Sequence, residues 1–225
     1  MNLIETPLSP VHGELEARGA QWGRVGQSPI AVHVDEPRIE RQARATLALC
    51  DCSPLSKLGV KGPGTATWLG EQGVSVSDEA FESRALADGG VVVNLTGGEF
   101  FAESGPASEI VPKLAAHLGR GQTGVFGVER QDATFLLSGG KARQVLAQVC
   151  GIDFDQARPR QLILTRTAGV TCAVLPQPES DVEIYRLWVD HSHGLYLWQT
   201  LVQISGELGG RVVGAACFYP GLQVS

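Results

Sequence analysis

The 225-residue chain has no basic run: 18 Lys and Arg stand against 24 Asp and Glu, a formal net charge of −6. A protein that neutralises a phosphate backbone needs clustered cations, so the charge pattern argues against a nucleic-acid partner. A long apolar run is also missing. No stretch reaches the roughly 20 residues needed to cross a bilayer, and MNLIETPLSPVHGELEARG has neither the basic nor the apolar region of a secretory signal. The expectation is a chain with no membrane partner. Cysteine is sparse and odd in number: Cys50, Cys52, Cys150, Cys172 and Cys217. Their spacings match no zinc ligand set. Cys50 and Cys52 are too close in sequence for an easy structural bridge, and Cys150 and Cys172 lie in apolar segments as small core residues. A reducing, cytoplasmic setting is expected.

Catalytic constellations are equally scarce. GVKGPG at 59–64 follows a strand pattern and opens a helix pattern, but lacks the Lys-Ser/Thr ending of a Walker loop and the spacing of a dinucleotide fingerprint. It reads as a tight strand-to-helix turn. His191 and His193 flank Ser192, yet no third ligand is near, and they read as loop histidines rather than a metal pair. Glu99, Glu103 and Asp132 are single carboxylates beside glycine turns, with no second carboxylate at a useful offset. Ser53, Ser104 and Ser138 lack the strained elbow of a hydrolase nucleophile, and Cys50-Asp51-Cys52 is no redox CxxC. Arg130, Arg166 and Arg186 could each fork onto a carboxylate. Arg166, between Thr165 and Thr167, is the weak candidate for cofactor binding, set against a structural ion pair. No catalytic residue and no metal ligand is assigned.

What is abundant is glycine, 28 residues, and ordinary apolar content at 43%. Residues 1–40 show no sustained periodicity and carry Pro7, Pro10, Pro29 and Pro37, so a loosely ordered N-terminal arm is expected. Residues 38–50, RIERQARATLALC, read as a helix ended before Pro54. There follow a strand around Leu58 and Val60, a Gly-Pro-Gly turn, a helix at 65–72, an edge strand at 84–86, strands at 91–95 and 99–103, and a helix at 107–118. The same order then recurs: strand 134–138, helix 141–150, strands 162–167, 170–175 and 184–189, helix 194–207. Pairing LGVKGPGTATWLGEQGV with FLLSGGKARQVLAQVCGI, and GEFFAESGPASEIVPKLAAHL with EIYRLWVDHSHGLYLWQTLVQ, suggests a weak internal repeat.

The fold class expected is therefore α+β, with two related units at 41–120 and 121–225 after the arm at 1–40. In the last helix Gly194, Leu197, Trp198, Leu201, Ile204 and Leu208 share a face, with Asp190 or Ser192 placed to cap it. In the strand before it, Tyr185, Leu187 and Val189 lie on one face and Ile184, Arg186 and Trp188 on the other. The second face is expected to suit a subunit or domain contact.

The same segments resemble a known family. LCDCSPLSKLGVKGPGTATWLGEQG resembles the opening of the glycine-cleavage T-protein (aminomethyltransferase) and YgfZ folate-binding superfamily. TRTAGVTCAVLPQ, followed by YRLWVDHSHGLYLWQTLVQISGELGG, is more similar to the gamma subunit of heterotetrameric sarcosine oxidase. The resemblance spans about residues 43–210. It implies two repeated units of the folate-binding aminomethyltransferase type. It implies alpha, beta and delta subunits as partners, with FAD, FMN, NAD, tetrahydrofolate and zinc carried by those other subunits and none in this chain. The complex would oxidise sarcosine or a related N-methyl amine and pass the carbon to tetrahydrofolate. In the T-protein a Thr-Gly-Tyr-Thr-Gly-Glu run supplies a glutamate for the pteridine; the matching stretch here is Thr167-Ala168-Gly169-Val170-Thr171-Cys172, without an acid. The family's catalytic aspartate has no clear counterpart between Glu99 and Ala107, and the YgfZ signature K-G-C-Y-x-G-Q-E is absent. The resemblance thus implies a non-catalytic gamma-type subunit. The alternative is a stand-alone folate-dependent aminomethyltransferase or YgfZ-like protein.

Overall fold

The computed structural model describes residues 8–225. In chain order the elements are α1 (His12–Glu16), β1 (Gln21–Val25), β2 (Ser28–His33), α2 (Pro37–Thr46), β3 (Ala48–Asp51), β4 (Lys57–Lys61), α3 (Thr65–Glu71), β5 (Ser83–Ala85), β6 (Val91–Asn94), β7 (Glu99–Glu103) and α4 (Ile110–Leu118). They continue as β8 (Phe126–Val128), β9 (Asp132–Ser138), α5 (Ala142–Val149), β10 (Ile163–Thr167), β11 (Val170–Pro176), β12 (Ile184–Asp190), α6 (His191–Glu207) and β13 (Arg211–Val213). No described helix is long and apolar enough to cross a membrane.

The internal repeat has a topological counterpart. The elements β4-α3-β5-β6-β7-α4 recur as β9-α5-β10-β11-β12-α6. The five-stranded sheet runs β5-β6-β7-β4-β8 and the six-stranded sheet runs β10-β11-β12-β9-β3-β13, so the first four strands correspond one to one. The β6–β7, β4–β7, β11–β12 and β12–β9 pairings are antiparallel in both sheets. The outer strands differ. Beside β4 lies β8, antiparallel; beside β9 lies β3, followed by β13 in parallel.

The expected division at residues 40 and 120 is corrected by chain crossing. One unit holds residues 55–131 and 160–163; of the described residues, the other holds 8–54, 132–159 and 164–225. Residues 41–54 leave the first repeat because β3 pairs with β9, from Ala48↔Ser138 to Asp51↔Phe135. The helix expected over 38–50 accordingly stops at Thr46, and Ala48–Asp51 extends as a strand buried at all four positions. Helix propensity in ATLALC yields to sheet pairing and full burial.

The expected loose arm is also corrected for residues 8–40; residues 1–7 of it lie outside those described. Val11, Leu15, Ile30 and Val32 are among the least exposed side chains of the chain. The strands β1 and β2 form an antiparallel hairpin with Val25↔Ser28, closed by Gly26 at φ +57. A two-residue turn with positive φ matches strand twist. Gly23 within β1 and Pro29 within β2 are residues that argue against a strand when the sequence is read alone.

In the larger unit, α6 covers one face of the six-stranded sheet. Leu197, Trp198 and Leu201 are fully buried, and the Trp198 ring lies 5.2 Å from that of Phe135. Each such side chain contributes about 1.5–3 kcal/mol by burial. Gly194 is needed by contact, since a Cβ there would meet Pro10 Cγ at 2.5 Å and Ala133 Cβ at 3.1 Å. Ser205, rather than Ile204 or Leu208, completes the buried stripe. The second face of β12, expected to be open for a contact, is closed within the chain: all of Ile184–Val189 is buried. Arg186 is 5% exposed there, donating from Nε to Gln177 Oε1 at 2.8 Å and from Nη2 to the Tyr219 hydroxyl at 3.1 Å.

The smaller unit has its own core, where Trp68 and Leu69 of α3 and Val111 and Leu114 of α4 pack with Leu58, Val60 and Phe100 of the sheet. The Lys57–Glu103 ion pair, 3.4 Å apart, is almost wholly buried beside it.

Glu40 organises the other unit. Its carboxylate is 1% exposed and accepts from the amides of Val34 (2.8 Å), Asp35 (3.2 Å) and Gly214 (2.8 Å), with His33 Nδ1 at 2.9 Å. Replacing it by Ala would strand three backbone donors. Glu40→Ala is expected to lower stability by about 3 kcal/mol, read as a drop in the urea midpoint at unchanged slope; a loss within experimental error would contradict this bonding.

Candidate functional site

The stretch that matches the pteridine-binding run is the β10–β11 hairpin. Ala168 and Gly169 form its two-residue turn at φ +49 and +83, the left-handed geometry of a tight hairpin. Arg166, exposed on β10, does not reach out for a ligand. Its Nε donates to the Gly169 carbonyl at 3.1 Å, and its Nη2 donates to the same oxygen. The Tyr196 hydroxyl, from the first turns of α6, donates to the Ala168 carbonyl at 3.0 Å. Both turn carbonyls are therefore occupied by side chains of the same unit. Thr167 and Cys172 flank the turn as buried residues. Burial pushes the Cys172 thiol up to about 12, against a smaller downward pull from its hydrogen bond with Thr167. A neutral, buried Cys172 stands where the family's glutamate would bring charge. The residues present do not fit a folate held through that position.

Most of the other sequence candidates are held in structural bonds, while Ser104, 1% exposed, has no partner for its Oγ among the described residues. In the 59–64 loop the Gly62 amide donates to Gly98 O at 2.8 Å, the Gly64 amide to Gly124 O at 3.3 Å and the Thr65 amide to Gly62 O at 3.2 Å. A phosphate cradle needs those amides pointing at a ligand; here they hold the loop to its own sheet. Gly62 is at φ +133 with Gly124 O 2.1 Å from a notional Cβ, which is why no side chain fits. Ser53 Oγ donates to Asp51 Oδ1 at 2.5 Å and accepts from the Thr134 amide at 3.1 Å, and Ser138 Oγ donates to Arg44 O at 3.1 Å. Glu103 pairs with Lys57, and Arg130 stacks over Phe101 at 5.0 Å. Glu99 opens β7 opposite Lys61 of β4, and Asp132 opens β9 opposite Asp190, the cap of α6.

His191 and His193 begin α6 and are exposed. Asp190 is the cap: its Oδ1 accepts from the Ser192 amide at 2.9 Å and from Ser192 Oγ at 2.5 Å. These bonds, with the two histidines adding a smaller pull, hold its carboxyl below the usual range. No group of three or more metal-ligating side chains is found among the described residues.

Two clefts lie in the larger unit. One, about 190 Å³, is walled by Phe154, Pro159, Pro176, Pro178 and Tyr185. Arg143 crosses it, donating from Nε to Glu183 Oε2 at 2.8 Å and pairing also with Asp155. Burial pushes the Tyr185 phenol up, the nearby Arg143 opposing it. With its guanidinium shared between two carboxylates, Arg143 acts as a clamp on the β11–β12 connection. The second cleft, about 390 Å³, opens beside the last turns of α6. Sequence reading found neither, because their walls come from segments far apart in the chain.

No family model matches the chain, and no curated protein does. Solved structures do match. The glycine cleavage system aminomethyltransferase T from Bartonella henselae superposes with a TM-score of 0.75 at 15% identity, covering 94% of this chain. The fold is of the aminomethyltransferase type. This chain spans 60% of the length of that enzyme. A chain of heterotetrameric sarcosine oxidase from Corynebacterium sp. U-96, in complex with pyrrole 2-carboxylate, matches with a TM-score of 0.65 at 18% identity. There the coverage is 90% of this chain and 96% of the other. At such identities the likeness is one of fold, in agreement with the resemblance carried by residues 43–210.

The thiols provide a check. Burial pushes Cys217 up to about 11, with the Glu40 carboxylate adding to it, and raises Cys50 well above its ordinary value, with Cys52 3.9 Å away adding further. At pH 8 the thiolate fraction would be about one in a thousand for Cys217 and about one in ten thousand for Cys172. Iodoacetamide at pH 8 should leave Cys50, Cys172 and Cys217 unlabelled in the native protein and label them in urea, as mapped by mass spectrometry; rapid native labelling of Cys172 would show the hairpin to be open. Asp190 supplies a second check. A carboxyl with a depressed folded value contributes stability above its unfolded value and loses it as pH falls. The stability gap between wild type and Asp190→Ala should therefore be present at pH 7 and close as pH drops through the carboxylate range, followed by thermal melts.

Proposed function

We propose that this chain is a non-catalytic, gamma-type subunit of a heterotetrameric flavoenzyme of the sarcosine-oxidase kind. The observation that carries the reading is extent. The chain matches nearly the whole of one chain of such a complex, 96% of it, but only 60% of an aminomethyltransferase T. The local chemistry supports it: the turn at Ala168-Gly169 is tied to Arg166 and Tyr196, and the position of the pteridine-binding acid is a buried thiol. On this reading the partners are alpha, beta and delta subunits. FAD, FMN, NAD, tetrahydrofolate and zinc would be held by them, and the complex would demethylate sarcosine or a related N-methyl amine. The net charge of −6 and the two expectations of no nucleic acid and no membrane partner accord with a chain that works in a protein complex. A cytoplasmic site is part of the same proposal.

A second reading, a stand-alone folate-dependent aminomethyltransferase or YgfZ-like protein, is favoured by the TM-score of 0.75 with the T-protein. Two measurements separate them. Co-expressed with alpha, beta and delta chains of the sarcosine-oxidase type, the tagged chain should retain all three on a column, with flavin absorbance in the eluate. Titrated alone with reduced folate to high micromolar concentration, it should give no binding heat. Folate-dependent methylamine transfer by the isolated chain would overturn the subunit reading.

A further inference from the structure

We infer that the cleft beside the C-terminal turns of α6 is a binding site for a small organic anion, one compact carboxylate on a short apolar body. The cleft is about 390 Å³, within the range of small-molecule sites. Its polar lining is Arg18, Asp35, Arg211 and Ser205, and its apolar lining includes Val34, Val202 and Val212. All of these belong to the larger unit.

Three features converge on an anion. Ser205, at the end of the buried stripe of α6 and in the cleft lining, is 2% exposed, and its Oγ has no hydrogen-bond partner among the described residues, although a buried hydroxyl costs free energy when unpaired. Arg18 is exposed at the cleft and its guanidinium has no partner among the described residues. Arg211 is oriented by Asp35, whose Oδ2 accepts from Nη1 at 3.1 Å, and that single bond leaves other guanidinium donors available. Two arginines against one aspartate leave a net positive cleft, and a guanidinium fork matches a carboxylate.

The helix end would oppose an anion if its carbonyls were open. They are capped instead: Ile204 O accepts from the Leu208 amide at 3.2 Å, Ser205 O from Gly210 at 2.7 Å and Gly206 O from Gly209 at 3.0 Å. The valines face the ligand's body. The site lies apart from the β10–β11 hairpin and does not depend on the subunit reading. Gly206, in the lining, offers a clean obstruction, because a Cβ there meets nothing within 4 Å.

The test uses 3-methylbutanoate on the full chain, with amide chemical shifts as the readout. Millimolar 3-methylbutanoate should shift the amides of Val202, Ser205, Gly206, Arg211 and Val212 in a saturable way, and 500 mM salt should weaken the effect, since the arginines are solvent-exposed. The neutral 3-methylbutanamide should bind at least about fivefold more weakly, and inorganic phosphate, which lacks the apolar body, likewise. Arg18→Ala should weaken 3-methylbutanoate about fivefold without changing the melting temperature, and Gly206→Leu, checked for native spectra, should abolish the shifts. Equal binding of the amide, equal binding of phosphate, or shifts that survive both Arg18→Ala and Gly206→Leu would each overturn the proposal.

Discussion

One buried carboxylate holds three parts of the larger unit together. Glu40 belongs to α2, yet its bonds run to the end of β2 and to Gly214 after β13. Without it, the N-terminal hairpin and the last strand would each have backbone donors facing the interior. A carboxylate that accepts several amides is a demanding partner: the geometry must be right at each donor, and removing it leaves every donor unpaired. Gly214 is placed by the same constraint, since a Cβ there would come within 2.1 Å of Val32 O. The β3–β9 ladder and the parallel β13–β3 pair are built around this junction. That is why residues far apart in the chain make one unit.

Four of the polar residues that could have done chemistry share a common fate. Ser53, Ser138, Glu103 and Arg166 each have a partner within their own unit. A group held this way is positioned by folding rather than by a ligand, and burial pushes the thiols of Cys50, Cys172 and Cys217 away from reactivity. These structural bonds, on a fold of the aminomethyltransferase type, are what the proposed scaffold reading rests on. In the α6 cleft the hydroxyl of Ser205 and the guanidinium of Arg18 are left without partners among the described residues.

Much of the fold was legible. Strands at 91–95 and 99–103 are observed as Val91–Asn94 and Glu99–Glu103, and the last helix, expected at 194–207, runs His191–Glu207. The two strands are β-branched or aromatic runs separated by Gly97-Gly98, and the helix carries a 3.6-residue stripe. Asp190 was one of two caps foreseen for α6, and its side chain does the work. The elements α1, β1, β2, β8 and β13 escaped; in β1 and β2, Gly23 and Pro29 weaken the strand pattern. The helix expected through Cys50 failed because pairing with β9 outweighs helical propensity once Ala48–Asp51 is fully buried.

By itself the sequence determined the repeated order of elements and the face that Gly194, Leu197, Trp198 and Leu201 share on α6, because these are properties of neighbours along the chain. Tertiary structure alone decided which repeat owns residues 41–54, where the second face of β12 is buried, and how Arg166 and Tyr196 close the hairpin turn. It alone brought Arg18, Ser205 and Arg211 to one cleft. Those are contacts between residues distant in sequence, and no local pattern encodes a partner that arrives only when the sheet is complete.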